Sequence, residues 1–219
     1  MNTTIRLFDE HPYESMFTAK VSKIGDDYII LDQTLFYPTS GNQECDSGSI
    51  NNKPVNDVAM DCDHESPFSL ETLIKHFIDV EGFQVGQQVE CVVDFDRRLK
   101  TMRLHAASHL VEYFISQLNT FISVEGSFVS HEKDRTDYQL SEKLDQEALQ
   151  ELEKRVNDFV AEEHTITFGV SKGMRIWACK DITMFCCGTH VSNTREIGAI
   201  KLSRKNKGKG INRIEIHLL

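Results

Sequence analysis

Four residues in two pairs, His105 and His109 in RLHAASHLVEYF and Cys186 and His190 in FCCGTHVSNTREIG, are the side chains best suited to chemistry in this chain. Each pair has a spacing of four. On an α-helix that spacing sets two imidazoles on one face about one turn apart, and the second pair adds a thiolate and a third imidazole, a donor set that tetrahedral zinc prefers. The expectation is one Zn2+ per chain, held by His105, His109, Cys186 and His190. Either pair alone has a plainer explanation. Two histidines four apart can mark a core face or a wet edge, and Cys186, beside Phe185 and Cys187, reads as a buried reduced thiol. Gly188 weighs against the latter, because a Gly-Thr turn lets the backbone bend enough to bring a thiolate and an imidazole round one ion. Such an ion polarises a carbonyl and activates water, which suits hydrolysis of an ester. Four protein ligands, however, fill a tetrahedron and suit a structural site. Either one ligand is displaced, or a fifth position takes water, or the ion orients the substrate while a neighbouring group activates water.

The chain reads as two units joined near residue 95. In the first, MFTAKVSKI, DYIILDQTLF, ETLIKHFI and QQVECVVDF have β-branched and aromatic content and are separated by Gly, Asp and Asn clusters. A small antiparallel β-barrel spanning 1–95, with a glycine-containing loop, is the expected arrangement. Asp94 or Asp96 then caps a helix through Leu99, Met102, His105, His109 and Val111 to about Leu118. A second, amphipathic helix carries Leu149, Leu152, Val156, Phe159 and Val160 at spacings of three and four. TITFGVS, MRIWACKD, IGAIKLS and INRIEIHLL supply strands, so 96–219 reads as an α+β domain with the CCGTH turn between two of them. The fold class is α+β. No internal repeat or low-complexity tract is present.

Composition agrees with two modest globular domains: 219 residues, 40% hydrophobic and 26% charged. The N-terminus lacks a basic head followed by an apolar run, and no stretch approaches the ~18 consecutive apolar residues of a membrane helix, so a cytoplasmic protein without membrane attachment is expected. The cysteines Cys45, Cys62, Cys91, Cys179, Cys186 and Cys187 are irregularly spaced, which fits reduced thiols and one metal ligand. The net charge of −10 is unevenly spread: residues 1–97 hold 18 Asp+Glu against 6 Lys+Arg, and residues 98–219 hold 16 against 18. Within the second part Lys201, Arg204, Lys205, Lys207, Lys209 and Arg213 fall close together, and Gly208 and Gly210 suggest a flexible loop able to clamp phosphates. The alternative is a solvated charged hairpin.

CCGTHVSNTREIG resembles the Cys-x-Gly-Thr-His-Val block of alanyl-tRNA synthetase editing domains and of their free-standing relatives, the AlaX-type trans-editing proteins. LDQTLFYPTSGNQECDSG is similar to the family's Asp-x-Thr-x-Phe-Tyr-Pro segment running into a glycine-rich loop, DFDRRLKTMRLHAASHL resembles its two-histidine helix, and VEGSFVSHEKDRTDYQLS and KLSRKNKGKGINRIEI match two further blocks. The resemblance runs from about Leu31 to the C-terminus. It makes Cys186, four before His190, the ligand and puts Cys187 where relatives usually carry glycine. Asn42, Glu44, Cys45 and Arg195 also depart from the pattern.

What the resemblance implies is a zinc-dependent aminoacyl-tRNA deacylase acting in trans on the acceptor end of mischarged tRNA(Ala), removing serine and in some members glycine. Choosing serine over alanine requires a site that rewards a hydroxyl. Ser108, Ser127, Thr189 and Gln43 are the candidate substrate contacts, and Lys205, Lys207, Lys209 and Arg213 the candidate tRNA contacts; serines and threonines at such places also serve as local hydrogen-bonders. A non-catalytic structural-zinc tRNA-binding module is the rival, because its ligand set would look identical. A zincin-type protease would need Glu after the first histidine, where Ala106 stands. No segment resembles a class II ATP-binding motif, so ATP is not expected. The FYPTSG segment favours the alanine over the threonine branch. The sequence leaves oligomeric state open.

Overall fold

In the computed structural model, residues 3–61, 72–171 and 174–219 are described. Cys62 and the first residue of ETLIKHFI lie outside them. The described chain divides into two compact units, Met1–Leu99 with Cys187–Thr189, and Lys100–Cys186 with His190–Leu219.

The first unit holds β1 (Ile5–Arg6), β2 (Met16–Ile24), β3 (Tyr28–Leu31), β4 (Gln33–Thr34), β5 (Gly48–Ile50), β6 (Lys53–Val55), β7 (Asp57–Met60), β8 (Ile74–Phe77) and β9 (Gln88–Val93). Seven form one antiparallel sheet in the order β6-β5-β9-β2-β3-β8-β7, a nearly closed barrel, while β1 and β4 pair in parallel beside it. Strict alternation builds the barrel wall: in β9, Val89, Cys91 and Val93 are buried and the residues between them exposed. The core gathers Phe8, Val21, Ile29, Leu31, Leu35, Phe36, Tyr37 and Ile50, among others. β2, β3, β8 and β9 lie where β-branched runs predict them; β5, β6 and β7 were not foreseen, because GSI, KPV and DVAM sit among Gly, Asn and Asp residues that read as turns. Gly48 has φ 156°, and a Cβ there would stand 2.0 Å from the Val92 carbonyl oxygen, so the pairing of β5 with β9 admits no side chain at this point.

The second unit begins within α1 (Phe95–Ser116), whose first N–H groups are capped by Asp94: the Arg97 amide donates to its Oδ1 at 3.1 Å. The helix ends two residues before the expected Leu118. Then come β10 (Phe121–Val129), β11 (Asp134–Leu140), α2 (Gln146–Ala161), β12 (Ile166–Ser171), β13 (Met174–Cys179), β14 (Ile182–Phe185), β15 (Ile200–Gly208) and β16 (Ile211–Leu218). Two antiparallel sheets result, β10-β11-β16-β15 and β12-β13-β14. In α2, capped by Asp145, the buried stripe is Leu149, Leu152, Val156 and Val160. Of the two readings of the basic segment, a flexible loop or a charged hairpin, the structure has the hairpin: Lys201, Arg204, Lys205 and Lys207 lie on β15, Arg213 on β16, and Lys209 at the turn, φ 52°. Alternating Ile200, Leu202, Ile214 and Ile216 are buried and hold these strands to the sheet.

His76, fully buried in the barrel, has its Nε2 2.9 Å from Thr34 Oγ1 and its Nδ1 3.4 Å from the Ile29 carbonyl, and burial lowers its pKa to about 4. A histidine so depressed stabilises the fold above its unfolded pKa, and that contribution is lost as pH falls from about 6.5 toward 4. Thermal melts should therefore show a loss of ~2 kcal/mol from this residue between pH 7 and pH 5. His76→Gln should lower the melting temperature at pH 7 but shrink the difference between the two pH values.

Candidate metal centre

The four residues singled out by spacing converge. His105 and His109 project from the middle of α1, their ring centroids 5.0 Å apart; Cys186 follows the last residue of β14, and its backbone N–H donates to the Arg175 carbonyl at 3.0 Å. His190 lies four residues on. All four are buried, and one donor atom from each falls within 4.8 Å of every other. Cys186 Sγ is 3.5 Å from both His105 Nε2 and His190 Nε2, and His190 Nε2 is 3.1 Å from His109 Nε2. A tetrahedral zinc with ordinary bond lengths has edges of about 3.6 Å between S and N and about 3.3 Å between nitrogens. The donor set and its spacing therefore fit a single metal ion.

Electrostatics prepare the imidazoles as ligands. Burial lowers the pKa of His109 to about 4, and that of His105 well below its ordinary value, with His109 and Arg175 adding to the effect. Both rings are neutral at pH 7, so each keeps a lone pair free for an ion. An aromatic wall encloses them. Trp177, on the inward face of β13, has its ring centroid 4.9 Å from that of His109, and Phe168 stands 5.7 Å from His190. Trp177 is fully buried, and its Nε1–H has no hydrogen-bond partner among the described residues. Neither Trp177 nor Arg175, whose guanidinium lies over Phe168 at 4.1 Å, was singled out from the sequence. Their alternation with buried Cys179 on β13 is the signal that carried them.

The other candidates fall in both units. Ser108 is buried on α1 and its hydroxyl bonds the Asp134 carboxylate. Ser127 lies on β10 opposite Thr136 and lines a shallow cavity of about 160 Å³ with Gly126, Arg135, Asp137 and Arg213. Within the first unit, Gln43 and Thr189 form a closed pair: the amide Nε2 donates to Thr189 Oγ1 and the Thr189 backbone N–H donates to Gln43 Oε1, both at 3.0 Å. Gln43 thus orients Thr189, the residue before His190 in the chain. The turn Ser40–Gln43 needs positive φ at both central positions, and Gly41 (53°) and Asn42 (64°) have it; asparagine in place of glycine is accommodated because its short side chain tolerates the left-handed region. Arg195 is exposed and pairs with Glu163 at 3.3 Å, while Asn193 and Glu196 form a capping box round it, so that position has no need of glycine.

The basic candidates are partly engaged. Lys205 and Lys133 both bond Glu215 at 2.9 Å, holding its carboxyl at about 2, and Arg213 makes two bonds of 2.7 Å to Asp137. Lys207 and Lys209 are exposed. Among the described residues no helix is long and apolar enough to cross a membrane.

The ligand assignment makes a clean distinction between adjacent thiols. Elemental analysis of purified protein should show about one equivalent of metal in the native chain and in Cys187→Ser, and little in Cys186→Ser or His109→Ala. Equal loss in Cys187→Ser would reassign the sulfur ligand.

Residues 174–215 match the family model described as threonyl and alanyl tRNA synthetase second additional domain, and residues 4–97 match the one described as tRNA synthetases class II (A). The chain is 34% identical over 223 residues to the alanyl-tRNA editing protein AlaX-M of Pyrococcus horikoshii, a match covering 100% of this chain and 99% of the relative. It is 30% identical over 242 residues to AlaX-M of Methanosarcina mazei, covering 94% and 93%. To the alanine–tRNA ligase of Methanococcus maripaludis it is 31% identical over 240 residues, 98% of this chain but 26% of the ligase. With its His-x-x-x-His word on a helix and its Cys-x-x-x-His word after a strand, and with relatives of matching length along the whole sequence, the chain belongs to the AlaX-M family of alanyl-tRNA editing proteins.

Proposed function

We propose that this protein hydrolyses, in trans, the ester joining serine, and secondarily glycine, to the 3′ end of tRNA(Ala), using one Zn2+ held by His105, His109, Cys186 and His190. The observation that carries this reading is the convergence of the four buried donors in a chain that aligns end to end with AlaX-M proteins. When bound, the zinc supplies Lewis-acid polarisation of an ester in a site walled off from bulk water. The chain's own residues do the rest. Neutral His105 and His109 offer lone pairs without first losing a proton, and the Trp177 and Phe168 rings keep the local dielectric low, which strengthens polar interactions with a developing charge. Trp177 Nε1–H offers a donor to an oxygen entering beside His109. Ser108, Ser127, Thr189 and Gln43 remain the candidate contacts of the aminoacyl end. We assign residues 1–95 as the barrel domain and 96–219 as the editing domain, working in the cytoplasm without ATP.

The test is direct. tRNA(Ala) charged with serine, glycine or alanine should lose serine fastest with native protein, and His109→Ala and Cys186→Ala should release it at least ~100-fold more slowly. Equal release by all three proteins removes the enzyme, and binding of tRNA without release establishes the structural-zinc binding module instead.

Lys205, Lys207, Lys209 and Arg213 are the proposed phosphate contacts. Of these, Lys207 and Lys209 are exposed at the hairpin tip. Their single alanine variants should each reduce the slope of log affinity against log salt by roughly one and weaken binding to any tRNA alike. Arg213→Ala should in addition lower the melting temperature, because it leaves Asp137 without its two-bond partner.

A further inference from the structure

Asp134 opens β11 at 2% exposure, and it has hydroxyls where a buried carboxylate usually has a cation. The Ser108 hydroxyl bonds it, and Thr136 Oγ1 donates to its Oδ2 at 3.3 Å. Around them Glu112 on α1 adds a like charge, and Tyr138, fully buried on the same strand, has its own pKa raised, chiefly by burial. Burial pushes the Asp134 carboxyl up to about 7, against the pull of the two hydroxyls and of the Arg135 backbone N–H. A carboxyl with a raised folded pKa is a burden on stability at any pH above its unfolded value, so packing gives no reason for it to be there. Its effect on Ser108 does.

Above about pH 7 the Asp134 carboxyl is ionised, and an ionised carboxylate only accepts hydrogen bonds. The Ser108 proton is therefore committed to Asp134, and what the serine oxygen presents to anything else is lone pairs alone. Ser108 stands three residues after His105 on α1, on the same helix face, and directly before His109. Building on the deacylase reading above, we propose that Asp134 is a positioning residue that makes Ser108 an obligate hydrogen-bond acceptor, and that this acceptor selects aminoacyl esters whose side chain carries a hydroxyl donor. A glycyl or alanyl ester has nothing to donate there. A serine left free to rotate would serve donors and acceptors alike and would discriminate less.

The experiment is a double-mutant cycle on the zinc-loaded protein, with Asp134→Asn, Ser108→Ala and both together, measuring kcat/KM for seryl- and glycyl-tRNA(Ala) and melting temperature at pH 8. Each single variant should lower the seryl value by ~10- to 100-fold and the glycyl value by less than ~3-fold, the double variant should be no worse than the worse single one, and Asp134→Asn should melt no lower than native protein. Equal losses on both esters, or losses that multiply in the double variant, would mean that Asp134 only supports packing and would overturn the proposal. If Asp134→Asn does not fold, Ser108→Ala decides: a native preference for the seryl ester overturns it and a lost preference supports it. Native protein that releases neither amino acid defeats the deacylase reading itself, and the proposal falls with it.

Discussion

The structure depends on bringing three imidazoles and a cysteine sulfur out of water at one point. Burial makes a charged imidazole unfavourable, so His105 and His109 stay neutral and keep their lone pairs. The same burial would make an unpaired thiolate at Cys186 costly, and a divalent cation offsets that cost more completely than any side chain nearby. A 22-residue helix holds one pair of these donors and the backbone after a short strand holds the other. Trp177 and Phe168 complete the enclosure, their rings lying against the ligand rings.

The first unit shows why its sequence words occur together. Thr34 faces His76 and accepts the Phe36 amide proton; the Tyr37 amide donates to Asp46; and Asp46 in turn forms a buried ion pair with Arg98 in the first turns of α1. Removing one partner of such a pair costs on the order of 3–5 kcal/mol, since the other charge is left buried. The LDQTLFYPTSGNQECDSG segment and the start of the helix are thus one hydrogen-bonded network. Its glycine-containing turn serves to present Gln43, whose amide nitrogen and oxygen are both used on Thr189.

The acidic net charge and a nucleic-acid partner are reconciled by local pairing. On the four-stranded sheet, Glu215 and Asp137 take up Lys133, Lys205 and Arg213, and these pairs fix the long side chains in place. Partly exposed ion pairs of this kind add little stability. They do pre-order these long side chains, which lowers the side-chain entropy left to lose.

Sequence by itself determined the four-donor cluster, the barrel-then-α+β order, the two helices with the Asp94 cap of the first, and the longer strands, because each depends on local periodicity or on a spacing within one turn. His105 with His109, and Leu149 with Leu152 and Val156, can be read without knowing what they face. Three things were decided only in the tertiary structure. The choice of hairpin over loop in the basic segment depends on Ile214 and Ile216 finding a core, β5 and β7 on pairing with β9 and β8, and the Ser108–Asp134 and Gln43–Thr189 pairs on residues 26 and 146 positions apart meeting. Long-range pairing leaves no period in a sequence. Donor direction and burial, which set what a hydroxyl can recognise and whether a histidine is charged, exist only once the chain has closed round them.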